Sequence, residues 1–163
     1  MRFEKMDFAE QIKTLTRLHG YLNREIFKKA LPTDIVIDIC NINKQEGRDF
    51  AACFRRNYII YDAEGAHTTT AILFGLEFMD DDIPRMKTQA EQAFVLGETM
   101  LHEMIHQYCY ENNIDDTNHG GKWQETAEKF QLTSIYKDGE CISEKPTDIG
   151  KFVISRFRFR GTI

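Results

Sequence analysis

Apolar residues recur in steps of three and four from Phe8 through Ile12, Leu15, Leu18, Leu22 and Ile26, with charges between them. That period predicts an amphipathic helix from Phe8 to Leu31, ended by Pro32. Residues 34–40 are β-branched and alternate, which predicts a strand, and 41–47 supply turn residues. A second strand is expected over Phe50–Phe54 or Tyr58–Tyr61 and a third over 68–78, bent at Gly75. Asp80, Asp81, Asp82 and Pro84 read as a solvated loop. A long helical period then runs from Thr88 to Asn112, with Ala93, Leu96, Met100 and Met104 on one stripe and no proline inside. Asn112 and Asn113 suit its end, because asparagine tolerates the left-handed conformation. A further helix is expected from Gly121 to Gln131, capped by Asn118. The last stretch sets Arg156, Arg158 and Arg160 against Phe157 and Phe159, the pattern of a strand with one basic face. No internal repeat is present.

Helices and strands in this order, over 163 residues, fit one α+β domain with a single core. With 42% hydrophobic residues and 3 prolines the chain is too apolar for a disordered one. A net charge of -5 has the wrong sign for a protein that coats nucleic acid with its whole surface, so any such contact is local and weak. The start of the chain lacks the apolar stretch of an export signal, and no run reaches the roughly 18 apolar residues of a membrane span. A soluble, cytoplasmic protein with no membrane partner is expected. Cys40, Cys53, Cys109 and Cys141 are far apart and form no C-x-x-C pair, which reads as reduced thiols.

Chemistry enters at His102-Glu103-Met104-Ile105-His106, within the long helical period. A four-residue step turns a helix by about 400°, so both imidazoles lie on one face, a turn apart, and can share a metal ion. Glu103 stands about 100° round from His102, where its carboxylate can reach water at the metal without being a ligand. A catalytic zinc takes three protein ligands and keeps one position open. His119, thirteen residues past His106 and followed by Gly120 and Gly121, completes the set. Rivals remain in Glu125 and Glu128, which stand near where gluzincins place a ligating glutamate on the following helix. One Zn2+ per chain is therefore expected on His102, His106 and His119, with Glu103 as catalytic base. The metzincin continuation fails, since Cys109 and Asn112 replace its glycine and third histidine.

Residues Thr99 to His106, then His119-Gly120-x-x-Trp123, and upstream Leu22-Asn23-x-x-x-Phe27 leading into Leu31-Pro32, resemble the SprT-like zinc metallopeptidases, a family that includes the Spartan proteases. The resemblance spans about residues 15–132. It implies a zincin-like, minigluzincin-type domain over residues 1–132, in which a small mixed β-sheet packs against the motif helix. Residues 133–163 follow as an extension that forms a strand on the same domain. It also implies hydrolysis of peptide bonds in protein substrates, in some members proteins crosslinked to DNA. Many bacterial members carry a C-terminal cysteine zinc ribbon, whereas here only Cys141 follows the catalytic region.

The remaining candidates have ordinary readings beside functional ones. Trp123 reads as a core anchor that holds the His119 loop against the motif helix. His19 and His67 read as surface or capping histidines. Tyr108 and Tyr136 are phenols able to donate to a developing oxyanion. Residues 68–78 are the candidate sheet edge for pairing with an extended substrate. The competing function is a binding module with a non-catalytic zinc, which docks nucleic acid or a protein through the basic C-terminal face. Glu103 speaks against it, because a closed structural site has no use for a base.

Overall fold

The computed structural model describes residues 1–42, 51–138 and 140–159, with the backbone alone for 140–142. Residues 43–47 of the expected turn, Phe50, Arg160 and the side chain of Cys141 lie outside the described residues. Helix α1 spans Phe8–Glu25, and its first turn is closed by Asp7, whose carboxylate accepts from the Glu10 N–H. It stops six residues short of Leu31. Lys28 and Lys29 take left-handed φ values of 53° and 64°, and both backbone groups of Leu31 bond the side chain of Asn23. Ile26 and Phe27 stay buried on this irregular turn, so the apolar period outlasts the helix.

Strands β1 (Val36–Cys40), β2 (Ala52–Asp62) and β3 (Gly65–Gly75) form a mixed sheet in the order β1-β3-β2. β1 runs parallel to β3, and β2 runs antiparallel to it. The two candidates for the second strand are one strand, joined across a bulge between Arg55 and Tyr58. The third strand ends at Gly75 rather than at residue 78, and it is central. Its unbroken buried run from Ala71 to Gly75 suits a strand with a neighbour on each side. Residues 68–78 therefore cannot be the free edge for a substrate. The acidic segment is no loop either, because residues 76–85 are helical, widened to a π turn over Phe78–Asp82. Phe78, Met79 and Ile83 pull it into the core while the aspartates face water.

Helix α2 spans Gln89–Glu111 and opens with a reciprocal capping box between Thr88 and Glu91. Leu96, Met100, Leu101, Met104 and Ile105 are fully buried against α1, the sheet and the C-terminal residues. Each such side chain contributes roughly 1.5–3 kcal/mol relative to exposure. Asn112 caps the helix and Asn113 is left-handed, as their chemistry suggests. Helix α3 (Gly121–Lys129) is capped by the Gly120 backbone and not by Asn118, which lies in a 3-10 turn at φ 55°.

The C-terminal residues differ most from expectation. β4 (Leu132–Lys137) and β5 (Glu140–Pro146) pair as an antiparallel hairpin, and α4 spans Asp148–Ser155 behind a Thr147 cap. The stretch read as a basic strand is thus the end of α4 followed by irregular chain. Its alternation is nonetheless real: Phe157 and Phe159 are buried in the main core, and Arg156 and Arg158 are exposed. Among the described residues no helix is long and apolar enough to cross a membrane. Cys40, Cys53 and Cys109 are free, and burial pushes the Cys53 and Cys109 thiols up to about 11, so both stay protonated.

His19 is no surface histidine. It is buried on α1, and its Nε2–H donates to Gln107 Oε1 at 2.9 Å, because the Gln107 amide donates to the Pro32 carbonyl. Burial holds its pKa below the ordinary 6.5, only partly offset by the bond to Gln107. The unfolded chain then takes up the proton first, so this contribution to stability is complete above 6.5 and declines as pH falls through that value. Between about pH 7.5 and about pH 5, His19→Gln should lose less stability than the parent in urea titrations. Equal losses would remove His19 from the acid response.

α4 touches α2 where a Cβ on Gly97 would come within 2.4 Å of Ile154 Cγ2. Gly97→Ala should therefore cost about 1–3 kcal/mol in urea unfolding through overpacking. An unchanged midpoint would show that Ile154 moves aside freely.

Candidate metal centre

His102, Glu103 and His106 occupy the second half of α2, a rigid helix buried along most of one face. The Nε2 atoms of His102 and His106 approach to 3.2 Å. His119 arrives from the turn after α2, where Asn118 and His119 take successive left-handed φ values of 55° and 51°. Such a conformation costs about 1–3 kcal/mol for a residue other than glycine, and here it turns the ring back onto α2. His119 Nε2 then lies 3.1 Å from His106 Nε2. Trp123, wholly buried one turn into α3, packs its ring 5.0, 4.0 and 4.6 Å from the centroids of His102, His106 and His119. It is the anchor its sequence position suggests.

The outward nitrogens decide the protonation of the inward ones. His106 Nδ1–H donates to Asp116 Oδ2 at 2.6 Å, and His102 Nδ1–H donates to Glu144 Oε2. Asp116 is held in turn by Arg56, 2.8 Å from its other oxygen. A neutral ring with its proton on Nδ1 presents a lone pair at Nε2, and the Nε2 atoms of His102 and His106 face each other at 3.2 Å. A cation can be shared by such lone pairs. Tetrahedral zinc with nitrogen ligands at about 2.0–2.1 Å would set such atoms about 3.3 Å apart, close to the spacings here. His102, His106 and His119 are the group of ligating side chains, among the described residues, whose ligand atoms gather in reach of one ion. Glu125 and Glu128 stay exposed on α3, outside this group.

Electrostatics divides the three rings. Burial and the neighbouring His102 push His106 down to about 4, against the pull of Asp116. His119 is lowered by burial and by His102. Burial also opposes protonation of His102, but its bond to Glu144 and the charge of Glu103 outweigh this and raise its pKa. Glu103 is buried at 6% exposure. Burial raises its pKa, moderated by His102 and by the Phe54 N–H that donates to it.

Two cavities flank the cluster. One of about 290 Å³ is lined by Ala51, Ala52, Glu98, Thr99, Leu132 and Glu144 together with His102 and Glu103. The other, about 240 Å³, runs past Cys53, Phe54 and Arg56 to all three histidines. β2 forms a wall of both, and it is an edge strand. Tyr108 lines neither, being packed on Phe27 and Phe130. The Tyr136 hydroxyl lies at the His119 turn, where it donates to that residue's carbonyl at 3.4 Å. His67 pairs with Asp62 at the surface.

The SprT-like family model matches residues 84–143. No curated protein and no solved structure matches the chain. The SprT-like segment runs from the end of the helical stretch 76–85 into β5, so it holds all three histidines, Glu103, Asp116 and Trp123. Leu22, Asn23 and Phe27 of the upstream resemblance lie outside it. Their structural part is plain, since Asn23 clamps Leu31 and Phe27 stacks on Phe130 at 4.4 Å. Reading the sequence alone overlooks Arg56, Asp116 and Glu144 as supports of the cluster. Asp116 carries a weak signal, an acid in the short loop between two candidate ligands. Arg56 and Glu144 carry none, because only the folded chain brings them to the site.

Proposed function

We propose that this chain is a zinc-dependent metallopeptidase of zincin-like architecture, hydrolysing peptide bonds of protein substrates. The observation that carries this reading is the convergence of three Nε2 atoms beside Glu103, a buried carboxylate on the helix of His102 and His106. His102, His106 and His119 would hold one zinc ion, leaving the fourth tetrahedral position open. Bound zinc supplies Lewis acidity there, polarising a carbonyl oxygen and acidifying water.

The protein's own groups do the rest. Glu103 takes a proton from the attacking water and passes it to the departing amine nitrogen, which needs a carboxylate that is close to the site yet not a ligand. The Phe54 N–H holds that carboxylate in place. An extended peptide would lie along the free edge of β2, which borders both cavities, and pair with its backbone. Polypeptide is the substrate class, and DNA-associated proteins are the subset that the family resemblance suggests.

Purified protein should bind about one zinc per chain. His119→Ala should release most of it, beyond the ~10–100-fold losses typical of residues that only support a ligand, while Glu125→Ala and Glu128→Ala retain it. Metal lost in either glutamate variant and kept in His119→Ala would reverse the assignment.

Glu103→Gln should keep its zinc and lose peptide hydrolysis by about 10²–10⁴-fold, measured on an unfolded protein substrate. A fully active Glu103→Gln would end the general-base role. A zinc-loaded parent with no hydrolysis of any polypeptide would favour the binding module.

A further inference from the structure

The β4–β5 hairpin reaches the cluster through Glu144 and Tyr136, and the chemistry above makes no use of these contacts. Glu144 on β5 accepts the Nδ1–H of His102, and its second oxygen lies 3.9 Å from His119 Nδ1. Its carboxylate is 14% exposed and forms part of the 290 Å³ cavity wall. From β4, Tyr136 donates to the carbonyl of His119. One hairpin thus addresses two of the three imidazoles from outside the helix that carries the motif.

His106 is served differently. Its carboxylate, Asp116, is ten residues away along the chain and is held by Arg56. Glu144 is 42 residues from His102 and lies just past the SprT-like segment. Both carboxylates meet the Nδ1 edges of the rings, on the opposite side from the Nε2 atoms that converge. That placement lets a carboxylate orient a ring without competing for the ion.

We infer that Glu144 is a positioning residue that fixes the tautomer and ring orientation of His102 and steadies His119, so that docking of the β4–β5 hairpin and metal loading are one linked equilibrium. The inference rests on the three-histidine metal reading. Its physical basis is reciprocity. If a docked hairpin holds the ligands in the binding geometry, metal binding must favour the docked hairpin by the same factor. A carboxylate behind a ligating histidine also raises the basicity of the imidazole, and its loss typically weakens metal binding ~10–100-fold.

The test uses the full chain, stripped of metal and titrated with Zn2+ against a chromophoric chelator, for the parent, Glu144→Ala, Glu144→Gln and Thr133→Ala. Thr133 is an exposed residue of the same hairpin. Glu144→Ala should bind zinc ~10–100-fold more weakly, with Glu144→Gln in between and Thr133→Ala like the parent. With Co2+ in the site, the visible bands should shift in the Glu144 variants and stay put in Thr133→Ala. Zinc should slow amide exchange across residues 132–138 and 143–145 in the parent and much less in Glu144→Ala. If Glu144→Ala unfolds, Glu144→Gln decides, since it keeps the shape and one acceptor while losing the charge.

Parent-like affinity and Co2+ spectra in the Glu144 variants would overturn the inference and leave the metal reading standing. A loss as deep as that of His119→Ala would also overturn it, by making Glu144 a ligand. A parent chain that takes up no zinc would instead remove the metal reading itself.

Discussion

Two imidazole Nε2 atoms stand 3.2 Å apart, and the Nδ1 edge of each ring bonds a carboxylate on the far side. Ring nitrogens crowded together this way give up hydrogen bonds they could make to water. Something must hold the rings there, and much of this structure can be read as that restraint. α2 is capped at its start, buried along its length and packed by α1, β2 and α4, so two of the rings ride on a rigid element. His119 is forced into a left-handed turn, and Trp123 is wedged against all three rings from behind. Left-handed backbone at Asn118 and His119 and close packing of the three rings on Trp123 meet at this cluster, a combination that fits a functional site.

What the sequence disclosed follows from how far apart the cooperating residues are. The motif helix, its asparagine end and the His119 turn lie within some thirty consecutive residues, so spacing placed His102, Glu103 and His106 on one helix, and the glycines after His119 favoured it over Glu125 and Glu128 as the third member. β1 was legible because alternation in a short β-branched run has few other solutions. Periodicity failed where packing continues past the helix end, as at Phe27, which follows the Ile26 cap and its bond to the Leu22 carbonyl. It failed again at Phe157 and Phe159, where alternate burial follows from irregular chain lying on the core rather than from a sheet. The three aspartates at 80–82 masked a helical turn because Phe78, Met79 and Ile83 around them do the anchoring. His19 looked like a surface histidine because its partner, Gln107, is 88 residues away.

The same division of distance separates the ligands from their supports. A candidate metal site is recognisable in sequence when its side chains are local, and the three histidines that could hold an ion here span residues 102 to 119. Its orientation is set by groups that only the tertiary fold delivers: Arg56 from the bulged part of β2, and Glu144 from β5. A bulge displaces the side chains beyond it, and the β2 bulge falls at Arg56, which reaches Asp116. The edge strand is thereby tied to His106 through Asp116 and to Glu103 through the Phe54 N–H.

Placement of β3 at the centre of the sheet has a consequence for the direction from which a substrate can arrive. β1 and β2 are the two edges, but only β2 lines the cavities at the histidines. On the proposed function, a chain added along β2 would run along a passage made by the two cavities, which Glu103 lines and whose larger part Leu132 and Glu144 of the hairpin also line. Opposite walls of that passage are then fixed by different means. The β2 wall is built into the sheet, whereas the hairpin wall joins the cluster through Glu144 and Tyr136. Width of the passage, and with it the size of the side chain admitted beside the site, would be set by the wall with fewer ties to the core.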